Sequence, residues 1–156
     1  MITHKIIYRP YDNSDGGVTA GLELDVYKGN TLYSIDYFIF GEFTIMNPIP
    51  GDALNQIGLM IGTFTDNKFF RIQYQGGFAA FFGKKYSESI SGEPGTSSYR
   101  YYEEDVFFTP GLAAKLGLKL VPFNFLSVGI DFQTNLNLKQ PVFFSCLSLE
   151  VGRLKK

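Results

Sequence analysis

The chain has 156 residues, a formal net charge of −1 and 19% charged residues, which suits one domain with a sizeable interior and excludes the basic field that nucleic-acid binding needs. Aromatic residues reach 17%, there are 17 glycines, and the single Cys146 excludes an internal disulfide and a cysteine-based metal site. No run of ~18 apolar residues occurs, which excludes a transmembrane helix.

Taken in chain order, the apolar residues recur with a period of two, the mark of a β-strand with one oily and one polar face. The first element, ITHKIIY, is short. VTAGLELDVY (18–27) sets Val18, Ala20, Leu22, Leu24 and Val26 against Thr19, Gly21, Glu23 and Asp25. TLYSIDYFIFGEFTI (31–45) sets Tyr33, Ile35, Tyr37, Ile39 and Phe43 against Ser34, Asp36 and Glu42, with Phe38 and Phe40 on the polar parity. DALNQIGLM is the nearest approach to an amphipathic helix, but it runs into the alternation of QIGLMIGTF (56–64). FFRIQYQGGFAAFFG (69–83) alternates Phe70, Ile72, Tyr74, Phe78, Ala80 and Phe82 with Arg71, Gln73, Gln75 and Gly77. GLAAKLGLKL (111–120) alternates leucines and alanines with Lys115, Gly117 and Lys119. LSVGIDFQTNL (126–136) puts Asp131 on its polar face, and VFFSCLSLEVGRL (142–154) puts Glu150 and Cys146 there, the cysteine as a small filler.

About eight strands result. Most exceed the usual ~5–6 residues and match the ~9–11 that cross a bilayer at a tilt. The connections alternate between tight turns (KGN, TDNK, VPFN) and longer loops (RPYDNSDGG, MNPIPGDALN, KKYSESISGEPGTSSYRYYEED, NLNLKQ). Short turns on one rim and long loops on the other are the habit of membrane β-barrels, and hairpins between successive strands make an up-and-down barrel. Residues 1–156 therefore read as one all-β barrel domain. ITHKIIY is too short to cross a bilayer, so the first strand is expected to be truncated, with more of it upstream. MITHKIIYRP has no apolar h-region or cleavage site, whereas export needs a signal peptide. A membrane barrel implies that the chain is a mature or trimmed form.

Three features place the oily parity outside. The oily side chains are too many and too large for the interior of an eight-stranded barrel, which side chains only just fill. The polar parity holds Gly21, Gly58, Gly62, Gly77, Gly111, Gly117, Gly129 and Gly152. A solvated face gains nothing from glycine, whereas a crowded lumen gains room. The polar parity also carries both signs: Glu23, Asp25, Asp36, Glu42, Asp131 and Glu150 against Arg71, Lys115 and Lys119. Buried charges must pair, and these nine form the expected lumen network. Tyr27, Tyr33, Phe69, Phe70, Phe123, Phe125 and Phe143 lie near strand ends, where interfacial girdles sit. The competing arrangement is a soluble lipocalin-like barrel, charges outward, with an apolar ligand inside.

The segment PGLAAKLGLKLVPFNFLSVGIDFQTNLN, followed by LSLEVGRL, resembles the C-terminal hairpins of small uncharacterised outer-membrane β-barrel proteins of Gram-negative bacteria. The shared positions are Gly111-Leu112, Pro122, Phe125-Leu126, Gly129-Ile130, Asn135-Leu136-Asn137 and Gly152-Arg153-Leu154. The resemblance covers about a third of the chain. It implies a fold and an outer-membrane location, with membrane lipid around the barrel, but no activity.

The residues for catalysis are missing from the sequence. Nucleophilic hydrolysis needs a histidine base beside serine or aspartate, and the single histidine is His4, at the edge of the first strand. SGEPG and YYEED match no calcium-loop spacing. Asp36 with Glu42, or Glu23 with Asp25, are carboxylate pairs on one face, but a filled lumen gives a substrate no route to them. The expectation is a protein that is not an enzyme, holds no cofactor or metal, and has no wide pore. Its role is structural, adhesive or that of an accessory subunit. Residues 84–107 form the longest connection and are expected as an extracellular hairpin. SGEPGTSS makes its turn, and KKYSESI and YRYYEED continue the two strands. Tyr99, Arg100, Tyr101 and Tyr102 are residue types that anchor interfaces, a possible contact for another envelope protein or a surface glycan.

Overall fold

The alternating segments form eight antiparallel strands: β1 (Ile2–Arg9), β2 (Gly17–Lys28), β3 (Thr31–Glu42), β4 (Ala53–Asp66), β5 (Phe70–Ser91), β6 (Tyr99–Phe123), β7 (Leu126–Asn137) and β8 (Val142–Val151). The structure, a computed structural model, describes residues 2–9, 17–42, 53–67, 69–91, 99–139 and 141–152. Each strand pairs with the next, and β1 pairs with β8, closing an up-and-down barrel. Closure runs through Ile2–Ile6 opposite Val151–Leu147. DALNQIGLM enters β4 at Ala53 rather than forming a helix, because both edges of β4 find ladder partners in β3 and β5.

The turns of the short rim are built by local chemistry. Gly29 in the β2–β3 turn has a φ of 62°, a left-handed conformation that a Cβ resists. In the β4–β5 turn the Asn67 N–H donates to the Phe70 carbonyl at 2.8 Å. The β6–β7 ladder shifts register between Leu120 and Phe123, around Pro122, which has no N–H to give a ladder. On the opposite rim β5 and β6 outrun their neighbours. Their ladder continues from Lys84 opposite Val106 to Ser91 opposite Tyr99, whereas β4 begins at Ala53 opposite Lys84 and β7 ends at Asn137 opposite Gly111. The flanks of the longest connection thus stand as a two-stranded arm. Lys139 anchors the base of the arm, with its Nζ 2.7 Å from the Asp105 carboxylate and 5.5 Å from the Phe107 ring centroid.

The parity is inside out. Leu118 and Ile130 are 45% and 42% exposed, while Lys115, Asp131 and Glu150 are 4%, 0% and 1% exposed. A soluble barrel buries the first set and solvates the second, so the lipocalin-like alternative, with an apolar ligand inside, does not hold. The exposed apolar side chains form a continuous belt with aromatic residues at both ends. Phe69, Phe70, Phe123 and Phe125 are exposed at the short-turn rim, where the rings of Phe123 and Phe125 stack at 5.7 Å. Toward the long-loop rim, Phe108 and Phe143 are exposed, and Phe82 stacks on Phe108 at 6.5 Å. Phe70 to Phe82 spans about 40 Å of strand at ~3.4 Å per residue, roughly 30 Å of height at a tilt of ~40°, which is close to a bilayer core. Tyr27 does not belong to a girdle. It shares the parity of Glu23 and Asp25, and its hydroxyl accepts a hydrogen bond from Gln73 Nε2 at 3.0 Å across the lumen.

The glycines leave room for lumen side chains. A Cβ on Gly58 would lie 2.5 Å from Asp36 Oδ1, and one on Gly117 would lie 2.7 Å from Asp131 Oδ1. Leu118→Arg, at the middle of the exposed belt, should lower folding free energy in lipid vesicles by about 2–4 kcal/mol. Urea unfolding measures this, and an unchanged midpoint would mean that Leu118 does not face lipid.

Candidate functional site

The lumen is layered along the barrel axis. Strand alternation delivers every second residue to it, so each layer draws on several strands. Next to the short-turn rim, Leu32 and Val121 are fully buried. Above them Arg71 lies over two rings, 5.1 Å from the Tyr27 centroid and 4.8 Å from that of Phe64. A guanidinium is weakly hydrated and stacks well on aromatic faces, a partner that charge counting along the sequence does not reveal.

The charged layer follows. Lys119 on β6 is its hub, with Nζ 2.7 Å from Asp131 Oδ1 and 3.0 Å from Glu150 Oε1. It also donates to the Ser148 hydroxyl at 2.5 Å. Ser127 in turn donates to Glu150 at 2.9 Å, so three strands meet at one ammonium. Lys115 reaches across the barrel to Glu23 on β2, and Ser34 donates to Asp25. Gln133 donates to Asp36 at 3.2 Å, linking β7 to β3. Of the nine expected network residues, the structure gathers Glu23, Asp25, Asp36, Arg71, Lys115, Lys119, Asp131 and Glu150 inside. The side chain of Glu42 lies outside the described residues, as do those of His4, Tyr99, Arg100, Tyr101 and Tyr102.

Toward the long-loop rim the lumen becomes apolar. Phe38, Phe40, Leu54, Phe81, Phe107, Val142, Phe144 and Cys146 form one buried cluster. Phe144 on β8 meets Phe38 at 5.0 Å and Phe40 at 5.3 Å on β3, and Phe40 meets Phe81 on β5 at 5.8 Å. None of these strand pairs is adjacent, so the rings pack across the lumen. The polar interior therefore gives way to an aromatic layer. Phe38 and Phe40 on the polar parity were its only signal in the sequence, because Phe81 and Phe144 sit in runs where both parities are apolar.

Chemically, this arrangement holds buried charges in pairs across the lumen. Among the described residues no three His, Cys, Asp or Glu side chains stand together as metal ligands. The Glu23 carboxylate is engaged by Lys115.

The solved structures that this fold resembles are outer-membrane β-barrels. Neisserial surface protein A (NspA) aligns with a TM-score of 0.64 at 11% identity, over 96% of this chain and 92% of that one. The N-terminal β-barrel domain of Pseudomonas aeruginosa OprF gives 0.61 at 10%, over 96% and 95%. Ail, the attachment invasion locus protein of Yersinia pestis, gives 0.57 at 9%, over 96% and 92%. Ail has also been solved in complex with the heparin analogue sucrose octasulfate. At these identities the likeness is one of fold. No protein-family profile and no curated protein matches the chain.

Lys119→Ala leaves two buried carboxylates without their cation, and loss of one partner from a buried pair costs roughly 3–5 kcal/mol. The variant should unfold at lower urea than the parent in vesicles. Asp131→Asn in the same chain should recover part of the loss, because it removes one of the stranded charges. A parent-like midpoint for Lys119→Ala would mean that Asp131 and Glu150 do not depend on this cation.

Proposed function

We propose, from the premise that this chain folds as small outer-membrane barrels do, that it is an integral outer-membrane protein with a structural, adhesive or accessory-subunit role, and that it is neither an enzyme nor a wide pore. The observation that carries this reading is the inversion of parity: an apolar belt between two aromatic ends, around a lumen of paired charges. Only lipid makes that exterior favourable, because each exposed apolar side chain of the belt would otherwise be hydrated at a cost of about 25 cal/mol per Å². The outer membrane is the bilayer in which barrels of this build reside. The filled lumen supports the absence of a wide pore, since eight strands leave no aqueous channel once side chains occupy it.

The arm formed by β5 and β6 is the part offered to partners. Residues 84–107 hold three basic and five acidic residues with tyrosines among them. An envelope protein with a neutral or basic face, or a surface glycan, fits that composition.

The protein should stay in the membrane fraction through a urea or carbonate wash and come out only with detergent. Unheated samples should migrate differently from boiled ones in gel electrophoresis, as folded barrels do. A monomer recovered in plain buffer would overturn the assignment. Deleting residues 88–98 should leave folding and insertion intact, because loop tips tolerate such changes, while any protein or glycan held by the parent is lost. Unchanged binding would show that recognition lies elsewhere.

A further inference from the structure

We propose that the lumen is hydrated beneath an aromatic seal, and that the ring layer of Phe38, Phe40, Phe81 and Phe144, rather than the charged network, is what closes the barrel to ions. This inference rests on the closed-barrel reading above and names the part of the lumen responsible.

Hydration is indicated by amides that protein atoms do not satisfy. Gln75 is 5% exposed, and neither its Oε1 nor its Nε2 has a hydrogen-bond partner. Gln133 Oε1, Gln73 Oε1 and Gln56 Nε2 are buried in the same condition. Lipid offers no hydrogen bond, and an unsatisfied polar group in an apolar surround is costly. Small polar chambers with several unpaired partners hold water. Two of these glutamines, Gln75 and Gln133, share a level. Both stand opposite Lys115 in the register, so a water there touches the charged layer as well.

The seal begins where the glutamines end. Gln56 stands opposite both Phe38 and Phe81, and Gln133 stands opposite Phe144. The rings span the lumen between strands that are not neighbours, and Phe38, Phe40, Phe81 and Phe144 are all at most 4% exposed. Charged and amide side chains hydrate an ion that passes them. A packed aromatic constriction cannot, and such constrictions close pores by excluding water. Five carboxylates and three cations are buried among the described residues, so a lumen opened at the seal favours cations.

Cys146, the single cysteine, lies in the same cluster at 2% exposure and reports on the seal. The unaltered protein in a planar bilayer should pass no current, and its thiol should resist a charged methanethiosulfonate reagent. Phe38→Ala, Phe81→Ala and Phe144→Ala, made singly and read where heat-modifiable migration shows a folded barrel, should give stepwise, cation-preferring currents and a reactive Cys146. In the unaltered protein, nuclear Overhauser transfer from water should reach the Gln75 side-chain amide and not the Phe40 ring. Current through the unaltered protein would sink the closed-barrel reading itself. If that protein is closed, the inference alone fails on any of three results: folded seal variants that stay closed or keep Cys146 inert, opening by Lys119→Ala in their place, or no water transfer to Gln75.

Discussion

Inside a bilayer every backbone N–H and C=O must find a partner within the protein, and the rest of this structure depends on that constraint. A sheet meets it only by closing on itself. Closure here is the pairing of β1 with β8 through Ile2–Ile6 and Val151–Leu147, and it converts eight hairpin-linked strands into a wall without edges over that height. Once the wall is closed, the pleat has only two destinations for side chains, the lipid and the lumen. The alternation of Leu118 with Lys119, or of Ile130 with Asp131, becomes a sorting of apolar from charged atoms.

Strand number then sets the character of the interior. Eight strands enclose a space that side chains fill, so charges that enter cannot remain hydrated individually and are stable only in company. Lys119 satisfies this by holding Asp131, Glu150 and Ser148 together, and Lys115 by crossing to Glu23. The glycines at positions 58 and 117 belong to the same solution, because a Cβ there would displace the carboxylates of Asp36 and Asp131. The ion pairs and the missing side chains are thus two consequences of one narrow radius. The same radius lets Phe144 reach β3, which a wider barrel would not allow.

Beyond the belt the constraint lapses. β5 and β6 continue as a ladder up to Ser91 opposite Tyr99 with no further strand beside them among the described residues. Water can satisfy open strand edges there. The backbone edges of the arm thus stand open to water among the described residues.

Period-two alternation, visible in any short window, was enough to identify strands, their number and the rim of each connection. Both signs on one parity, with glycine between them, was enough to decide which face meets lipid. Those properties are local, because a residue's face depends only on its position modulo two. Partnership is not local. That Lys115 meets Glu23 instead of a nearer carboxylate, that Arg71 lies on Tyr27 and Phe64, and that Phe38, Phe40, Phe81 and Phe144 form one layer all depend on stagger and curvature. Those bring β2 to β6 and β3 to β8 across the barrel. Tyr27 shows the difference most plainly: its place near a strand end suggested a girdle, and its parity, acting in a closed barrel, turned it inward to Gln73. The sequence by itself determined what faces in and what faces out, since the pleat enforces it residue by residue. Only the tertiary structure decided what meets what inside, since distances across a lumen are set by closure of the whole wall.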